Sequence, residues 1–131
     1  MPSITVSLPI ADRRTSFTFY GGGLGFEPIG EPADDGVPEP LQFALDDGVA
    51  LMLIPTVGFG WVIGDHDVAS PGSSECVLSL VAGSDAEVEA TIERARSAGA
   101  RIVAEPERKP WGYIGTFADP DDHLWMVICT T

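Results

Sequence analysis

The feature that most constrains this fold is a repeated order of predicted elements. A strand, a helix and three strands come first, and the same order returns about 70 residues further along the chain. This pattern predicts an α+β fold built from two βαβββ modules. The 131 residues are expected to form a single domain, with modules at about residues 1–56 and 75–131 and a connector at about residues 57–74.

The first predicted module opens with a half-buried strand. Ile4–Ile10 alternates apolar and polar residues, and Asp12 can then cap a helix that Gly21-Gly22-Gly23 ends. The remaining predicted elements are a weak strand at residues 26–31, an exposed loop at 31–40, and strands at 41–45 and 49–54 that pair around the turn Asp46-Asp47-Gly48.

The second predicted module begins with a strand at residues 76–81. A helix follows, because Ser84-Asp85-Ala86-Glu87 forms a capping box and Gly99 supplies a C-terminal stop. The remaining predicted elements are strands at residues 101–105 and 113–118, a loop at 106–112, and the last strand of a closing hairpin. In that hairpin Pro120 presets a tight turn, and Asp121 and Asp122 suit its capping and left-handed positions.

The charge of the chain excludes several classes of partner. Seven Lys and Arg residues against 20 Asp and Glu give a net charge of −13, and residues 15–93 contain fourteen acids and no base. Nucleic acid and anionic membrane surfaces both require basic protein surface, so neither is an expected partner. The acidic surface either keeps the protein soluble or raises the local concentration of a cationic ligand.

Cysteine content and hydropathy predict a cytoplasmic protein. Cys76 and Cys129 are too few and too far apart for a disulfide framework or a zinc site, so both are expected to be reduced. No apolar run approaches the ~18 residues of a membrane span, and no signal-peptide pattern opens the sequence.

Two stretches of the sequence resemble the vicinal oxygen chelate superfamily, which includes glyoxalase I, bleomycin-resistance proteins and extradiol dioxygenases. One is the closing segment Phe117–Val127, which has Asp122 where the family usually has Gly. The other is the opening segment, where the family pattern is kept at Asp12, Ser16, Phe19, Tyr20, Leu24, Gly25 and Phe26. The resemblance covers Ile4–Ile128 and implies two curved mixed sheets that face a cleft.

The same resemblance locates the positions of a family metal site. Metal-dependent members hold a divalent ion with four side chains, typically His, Gln and Glu, from the first and last strands of each module. In this sequence the four positions correspond to Thr5, Met52, Cys76 and Met126. Thr and Met are poor ligands for Mg²⁺, Mn²⁺, Ni²⁺ or Fe²⁺, and one thiol with two thioethers would suit only a soft ion such as Cu(I). We therefore expect no bound metal and no cofactor.

An enzyme is the alternative interpretation. It would be a glyoxalase-like lyase, isomerase or dioxygenase with a displaced metal site, for example through Glu75, or with an acid–base site. A metal site shared by His66 of the connector and His123 of the closing turn is not expected. A nucleophilic mechanism is not indicated either, because neither a Gly-x-Ser-x-Gly elbow nor a local cysteine signature is present.

The predicted binding site has an apolar and aromatic lining. Strand alternation assigns to the cleft-facing side Thr5, Ser7, Met52, Ile54, Cys76, Leu78, Leu124, Met126 and Ile128, and to the helix-facing side Val6, Leu8, Leu51, Leu53, Val77, Trp125 and Val127. Rings from the loops are expected at Trp61, Trp111 and Tyr113. In bleomycin-resistance-like members a Pro-Trp-Gly segment lines the drug groove, which implies the same place for Trp111. The alternative is that Trp111 covers a sheet edge.

These features predict a protein that binds or sequesters a small hydrophobic aromatic molecule, neutral or cationic, as antibiotic-resistance proteins do. Aromatic rings would contribute stacking and cation–π attraction of ~0.5–2 kcal/mol each. A homodimer is also expected, because two-module members of the family usually pair and open sheets leave edges that a partner can cover.

Overall fold

The structure is a computed structural model, and it describes residues 3–131. Its strands are β1 (Ile4–Ile10), β2 (Glu27–Ile29), β3 (Leu41–Asp46), β4 (Val49–Pro55), β5 (Val77–Val81), β6 (Arg101–Lys109), β7 (Gly112–Ala118) and β8 (Leu124–Cys129). Its α-helices are α1 (Arg13–Phe17), α2 (Thr56–Ile63) and α3 (Asp85–Ser97), and a π-helical turn covers Thr18–Gly23. Among the described residues, no helix is both long enough and apolar enough to cross a membrane.

The chain divides into two compact units, which we call unit 1, ending at Ala69, and unit 2, from Ser70 to Thr131. Each contains one four-stranded sheet, with strand order β1-β4-β3-β2 in unit 1 and β5-β8-β7-β6 in unit 2. In both sheets the first and last strands of the module pair in parallel and the other neighbours pair antiparallel. This repeated topology confirms the predicted α+β fold with mixed sheets.

In unit 1 the first helix is capped as predicted but ends later than predicted. The Asp12 carboxylate accepts hydrogen bonds from the Thr15 backbone N–H at 2.8 Å and from its hydroxyl at 2.7 Å. The glycines Gly21-Gly22-Gly23, predicted to stop the helix, instead lie within the π-helical turn. The chain leaves the helical conformation only at Gly25, where φ is +79°. A left-handed residue ends a helix, and three glycines that keep negative φ do not.

In unit 2 the helix α3 has both predicted ends. The Ser84 hydroxyl accepts from the Glu87 N–H at 3.1 Å, although the Glu87 carboxylate accepts from Gly83, one residue before the expected partner. At the other end Gly99 has a φ of +98°, and the Gly99 and Ala100 N–H groups bond back to the carbonyls of Arg96 and Ala95. This pairing is a Schellman motif.

Two segments predicted to be irregular are regular. The connector predicted at residues 57–74 contains most of α2. The sequence pattern did not predict this helix, because Gly58 and Gly60 interrupt an uncharged run that has no polar face. None of the α2 residues is buried. The loop predicted at residues 106–112 is largely the end of β6. This edge strand tolerates Pro106 because its register against β7 shifts between Ala104 and Glu107.

Candidate functional site

One face of the unit 1 sheet is covered by aromatic side chains from the helical segment. The rings of Phe17 and Tyr20 lie 6.3 and 5.9 Å from the ring of Phe43 in β3. Phe43 is paired with Leu51 of β4, and both are fully buried. Because successive residues of a strand point to opposite faces, the neighbours of Phe43 and Leu51 lie on the other face.

That second face carries a row of side chains in register across three strands. Ser7 of β1 is paired with Met52 of β4, and Met52 is paired with Gln42 of β3. All three are half-buried, as is Ile54, two residues beyond Met52. We call the set Ser7, Gln42, Met52 and Ile54 the methionine face of unit 1.

In unit 2 the covered face is identified by a glycine. Gly115 of β7 lies against α3 so closely that an added Cβ would be 2.8 Å from Cγ1 of Ile92. Gly115 is paired with the buried Val127 of β8, which therefore also faces α3. The opposite face carries a second row, in which Met126 is paired with both Ser79 and Thr116.

The set Ser79, Thr116, Met126 and Ile128 is the methionine face of unit 2. Like its counterpart it has a serine on the first strand of the module, and a methionine and an isoleucine on the last strand. Among these four positions the two sets differ only on the third strand, where Gln42 in unit 1 corresponds to Thr116 in unit 2. The adjacent row of the same faces differs more, since Thr5 and Ala50 of unit 1 correspond to Val77 and Leu124 of unit 2.

The predicted side-chain directions in β5 are wrong by one residue. Leu78 is paired with the buried Trp125 and shares its helix-facing side, whereas Val77 lies on the methionine face. Cys76 was expected on that face but is an exposed residue that precedes the strand. Leu124, Met126 and Ile128 lie on the face predicted for them.

The four positions of the family metal site do not form two matched pairs. Thr5 is paired with Ala50, so it lies one row away from Met52, and the residue in register with Met126 is Ser79, not Cys76. No group of three or more His, Cys, Asp or Glu side chains within residues 3–131 is arranged to hold a metal ion. One Thr, two Met and a single Cys side chain in this arrangement do not make a ligand set for a hard or borderline divalent cation, because Thr and Met are poor ligands for such ions.

The two histidines lie in different units, His66 in unit 1 and His123 in unit 2. The backbone N–H of His123 donates to the Asp119 carboxylate at 2.8 Å, and this buried carboxylate also accepts from the N–H of Asp121 at 2.9 Å. Asp122 occupies the left-handed position of the turn, with φ of +69°, as predicted. The closing turn is thus held by Asp119.

Two of the predicted aromatic site residues are highly exposed. Trp61 on α2 is 85% exposed, and Trp111 in the turn between β6 and β7 is 63% exposed. Helix α2 adjoins the methionine face of unit 1, because a Cβ on Gly58 would lie 3.3 Å from Ile54 and the Thr56 hydroxyl donates to the Ile10 carbonyl at 3.1 Å. Trp61 is therefore carried by a helix at one end of that face.

Tyr113 lies on the other side of the unit 2 sheet. Its hydroxyl donates to the Glu89 carboxylate of α3 at 3.3 Å, and the Arg108 guanidinium lies 5.2 Å from its ring centroid. Partial burial, together with the negative charge of Glu89 and this hydrogen bond, raises the pKa of Tyr113 above its usual value. These contacts place Tyr113 beside α3 and away from Met126.

The two units differ in charge. Unit 1 has two basic and ten acidic residues, and unit 2 has five basic and ten acidic residues. Both bases of unit 1 are engaged by one loop, since Arg13 pairs with the Asp35 carboxylate at 2.5 Å and Arg14 donates to the Asp35 carbonyl. Unit 1 is therefore strongly acidic, and its methionine face has no nearby base on its own strands.

Comparison with known proteins assigns the chain to a family. Residues 4–127 match the model of the glyoxalase/bleomycin resistance protein/dioxygenase superfamily. The chain belongs to that superfamily. No curated protein matches the sequence significantly.

Several solved structures share this fold. A glyoxalase-related enzyme from Fulvimarina pelagi is 27% identical, with a TM-score of 0.81 over 95% of this chain and 85% of the other. A hypothetical protein from S. aureus is 22% identical, with a TM-score of 0.82 over 98% and 94% of the two chains. An antibiotic binding protein from Streptomyces sp. CB03234 is 21% identical, with a TM-score of 0.70 over 100% and 97%.

Three residues of the methionine faces were missed by the sequence analysis of this superfamily member, namely Gln42, Ser79 and Thr116. The family's ligand positions lie on the first and last strands of each module, whereas Gln42 and Thr116 lie on third strands. Ser79 lies on a first strand, β5, whose side-chain directions were predicted wrongly by one residue. One signal was available for Gln42. It is the only Gln in the sequence, which contains no Asn, and so it is the only carboxamide side chain in the chain.

Proposed function

We propose that this superfamily member binds and sequesters a small hydrophobic aromatic molecule, neutral or cationic, on a methionine face, without a metal at the family ligand positions. Sequestration needs affinity and no catalytic group. The observation that carries the proposal is the composition of the central rows. Around Met52 and Met126 they contain hydroxyl, carboxamide, thioether and aliphatic side chains and no titratable one.

Thioether side chains suit such a ligand. Methionine is flexible and polarizable, and its sulfur makes favourable contacts with aromatic rings of ~0.3–1.5 kcal/mol. Small-molecule sites are usually lined by apolar side chains with a few polar groups that fix orientation. The half-buried Met52 and Met126, each flanked by polar residues in register, have this composition.

The donor atoms argue for binding without metal chemistry. Enzymes that polarise a carbonyl oxygen on a divalent ion gain several kcal/mol from that Lewis acid. Here three of the four family positions hold Thr5, Met52 and Met126, whose side chains are poor ligands for the ions that do this chemistry, and the fourth, Cys76, supplies only a single thiol. The antibiotic-binding relative gives the proposal a precedent within the fold.

Exposed rings and acidic charge support the aromatic and cationic preference. Trp61 and Trp111 offer ring faces at the surface, and an indole attracts a cation more strongly than other aromatic rings do. The net charge of −13 would raise the local concentration of a cationic compound. Such steering is screened over ~8–10 Å at physiological ionic strength, so affinity for a cation should fall as salt rises.

Titration of tryptophan fluorescence with neutral naphthalene and cationic 9-aminoacridine tests the proposal. Met52→Lys and Met126→Lys put a charge on each methionine face, and one of them should weaken binding of both probes at least about tenfold because a buried charge is costly. Ala90→Lys is the matched control, since it adds the same charge at an exposed position of α3. Trp61→Phe and Trp111→Phe would identify the ring that reports binding.

Two results would overturn the proposal. One is a lack of saturable binding of either probe to the wild type. The other is elemental analysis that finds about one Zn, Ni, Fe or Mn per chain, lost when Thr5 or Cys76 is replaced by Ala. The second result would favour the enzyme.

We also propose that the protein is a homodimer. Each sheet has edge strands, and α2 carries Val57, Trp61 and Val62 at 75%, 85% and 73% exposure, which are apolar groups that a partner chain could cover. Light scattering at micromolar concentration should give twice the chain mass of 13.8 kDa. A mass equal to one chain would refute the dimer.

A further inference from the structure

Gln42 occupies an unusual position for the one carboxamide of the chain. It lies in β3 between Leu41 and Phe43, which are 1% and 0% exposed and point into the helix-covered side of unit 1. Gln42 therefore points to the methionine face, in register with Met52 on one side and with Ile29 of β2 on the other. A polar side chain is thus held between two apolar ones on a half-buried surface.

The polar atoms of this row are not used by the fold. Within residues 3–131, neither the Gln42 carboxamide nor the Ser7 hydroxyl has a side-chain hydrogen-bond partner. Both residues are half-buried, yet neither has a polar atom that is fully shut off from solvent. A half-buried polar group without a partner is unfavourable unless water or a ligand satisfies it.

The spacing of the row sets the size of a molecule that could use both groups. Ser7 and Gln42 lie on β1 and β3, with β4 and Met52 between them. Their backbones are therefore separated by about 10 Å, twice the strand spacing of roughly 4.8 Å. This distance is comparable with the long dimension of a small fused-ring aromatic that lies over the Met52 thioether.

We propose that Gln42 determines ligand specificity in unit 1. Its carboxamide forms a hydrogen bond with a polar group on one edge of a flat, uncharged fused-ring ligand, and the opposite edge of the ligand forms a hydrogen bond with the Ser7 hydroxyl. This inference rests on the proposed function. It narrows the ligand from hydrophobic aromatics in general to those with neutral polar groups at two opposite edges.

The chemistry of the row favours neutral polar groups. A carboxamide donates through its NH₂ and accepts through its oxygen, and a hydroxyl does both, so the pair can match a carbonyl, a hydroxyl or an amide. No acid or base lies in the row to pair with a charged group. In unit 2 the corresponding Thr116 is shorter and lacks the carboxamide. The two faces should therefore differ in affinity for a ligand with a given polar group at its edge.

Three naphthalene probes test the inference, namely naphthalene, 2-naphthol and naphthalene-2,6-diol, which carry zero, one and two hydroxyl groups. Dissociation constants are measured by calorimetry for the wild type and for Gln42→Met, which keeps the length of the side chain and removes its hydrogen bonds. Ser7→Ala removes the other polar group, and Ser97→Ala, at an exposed position of α3, is its matched control. Ser79→Ala removes the corresponding hydroxyl of unit 2. Met52→Leu controls for apolar repacking, and Thr116→Val removes the hydroxyl of the counterpart position.

The wild type should bind the diol more tightly than naphthalene. Gln42→Met should reduce this preference roughly threefold to tenfold, which is the effect of one hydrogen bond, and should leave naphthalene affinity unchanged or improved. Ser7→Ala should act in the same direction, Ser97→Ala should have no effect, and Met52→Leu should change all three affinities alike.

The remaining outcomes separate the two proposals. If the probes bind but Gln42→Met leaves the preference for the diol unchanged, the specificity role is refuted and the proposed binding function stands. If the preference for the diol falls only in Thr116→Val and Ser79→Ala, the side chains that bond to the probe's hydroxyl groups belong to unit 2, and the assignment to Gln42 is wrong. If no probe binds the wild type, the proposed function fails and this inference fails with it.

Discussion

Replacing Gly115 by Ala should destabilise the protein, and the size of the effect tests which face of the unit 2 sheet is covered. The added Cβ would lie 2.8 Å from Cγ1 and 2.9 Å from Cδ1 of Ile92, and 3.3 Å from Cγ of Pro106. Ile92 is 1% exposed on α3, so it has no free space into which to move. Overpacking of this kind typically costs ~1–3 kcal/mol of unfolding free energy.

A double-mutant cycle attributes the cost to the contact. Ile92→Ala alone leaves a cavity and should cost about 2–5 kcal/mol. In Gly115→Ala/Ile92→Ala the new methyl group occupies part of that cavity, so the double variant should be less destabilised than the sum of the single variants by at least about 1 kcal/mol. Urea unfolding followed by circular dichroism measures all four free energies, and the slopes show whether the denatured states are comparable.

Gly60→Ala is the control for a glycine replaced where there is room. No atom lies within 4 Å of the Cβ that it would add, and the residue is inside α2. Alanine favours the helix, so this variant should be as stable as the wild type or up to about 1 kcal/mol more stable. If Gly115→Ala were also within about 0.5 kcal/mol of the wild type, α3 would not cover the Gly115 face, and the assignment of Met126 to the uncovered face would be wrong.

Three further predictions concern the rest of the chain. Hydrogen bonds from the first turn of α1 lower the pKa of Asp12 in the folded state. The stability difference between wild type and Asp12→Ala should therefore be complete above the unfolded-state pKa of about 3.9 and should vanish as the pH falls through the lowered folded-state pKa. Urea unfolding across the acid range measures this difference. Arg13→Met should lower the unfolding free energy by roughly 1–3 kcal/mol and speed amide exchange in residues 31–40, because Arg13 donates to two backbone carbonyls of that loop. Unchanged amide exchange in the loop would contradict this prediction. In a Trp61→Phe background, acrylamide should quench Trp111, at 63% exposure, and leave the 1% exposed Trp125 protected, so adding Trp111→Phe should abolish almost all quenching.

The elements that the sequence predicted well are those with their own local signals. β1 has the predicted bounds Ile4–Ile10, because its apolar and polar residues alternate without interruption. Helix α3 is bounded by a serine cap and a left-handed glycine, and both signals depend only on neighbouring residues. The topology followed because both modules gave the same order of elements.

The elements that it missed depend on contacts between distant residues. β5 reads Val77-Leu78-Ser79-Leu80-Val81, which is apolar on both of its alternating faces, so the sequence does not decide which face is covered. Pairing with β8 decides it, because Leu78 is opposite the buried Trp125 and Ser79 is opposite Met126. The same wrong side-chain direction was predicted for Cys76, one of the metal-ligand positions taken from the family.

Comparison of the two units gives a further reason to look for a ligand on the methionine faces. On the helix-covered side of the last strands, Leu51 of unit 1 corresponds to Trp125 of unit 2, an exchange that a packed core can accept if its neighbours compensate in volume. On the methionine faces the serine, methionine and isoleucine recur, although Ser79 is exposed and the other members are half-buried, and such side chains are under weaker packing constraint than core ones. The proposed binding of a shared class of ligand would account for identity at these three positions, where packing does not demand it. Gln42 against Thr116 is the one difference among the four compared positions, and under the proposal it is the position where the two faces would discriminate between ligands.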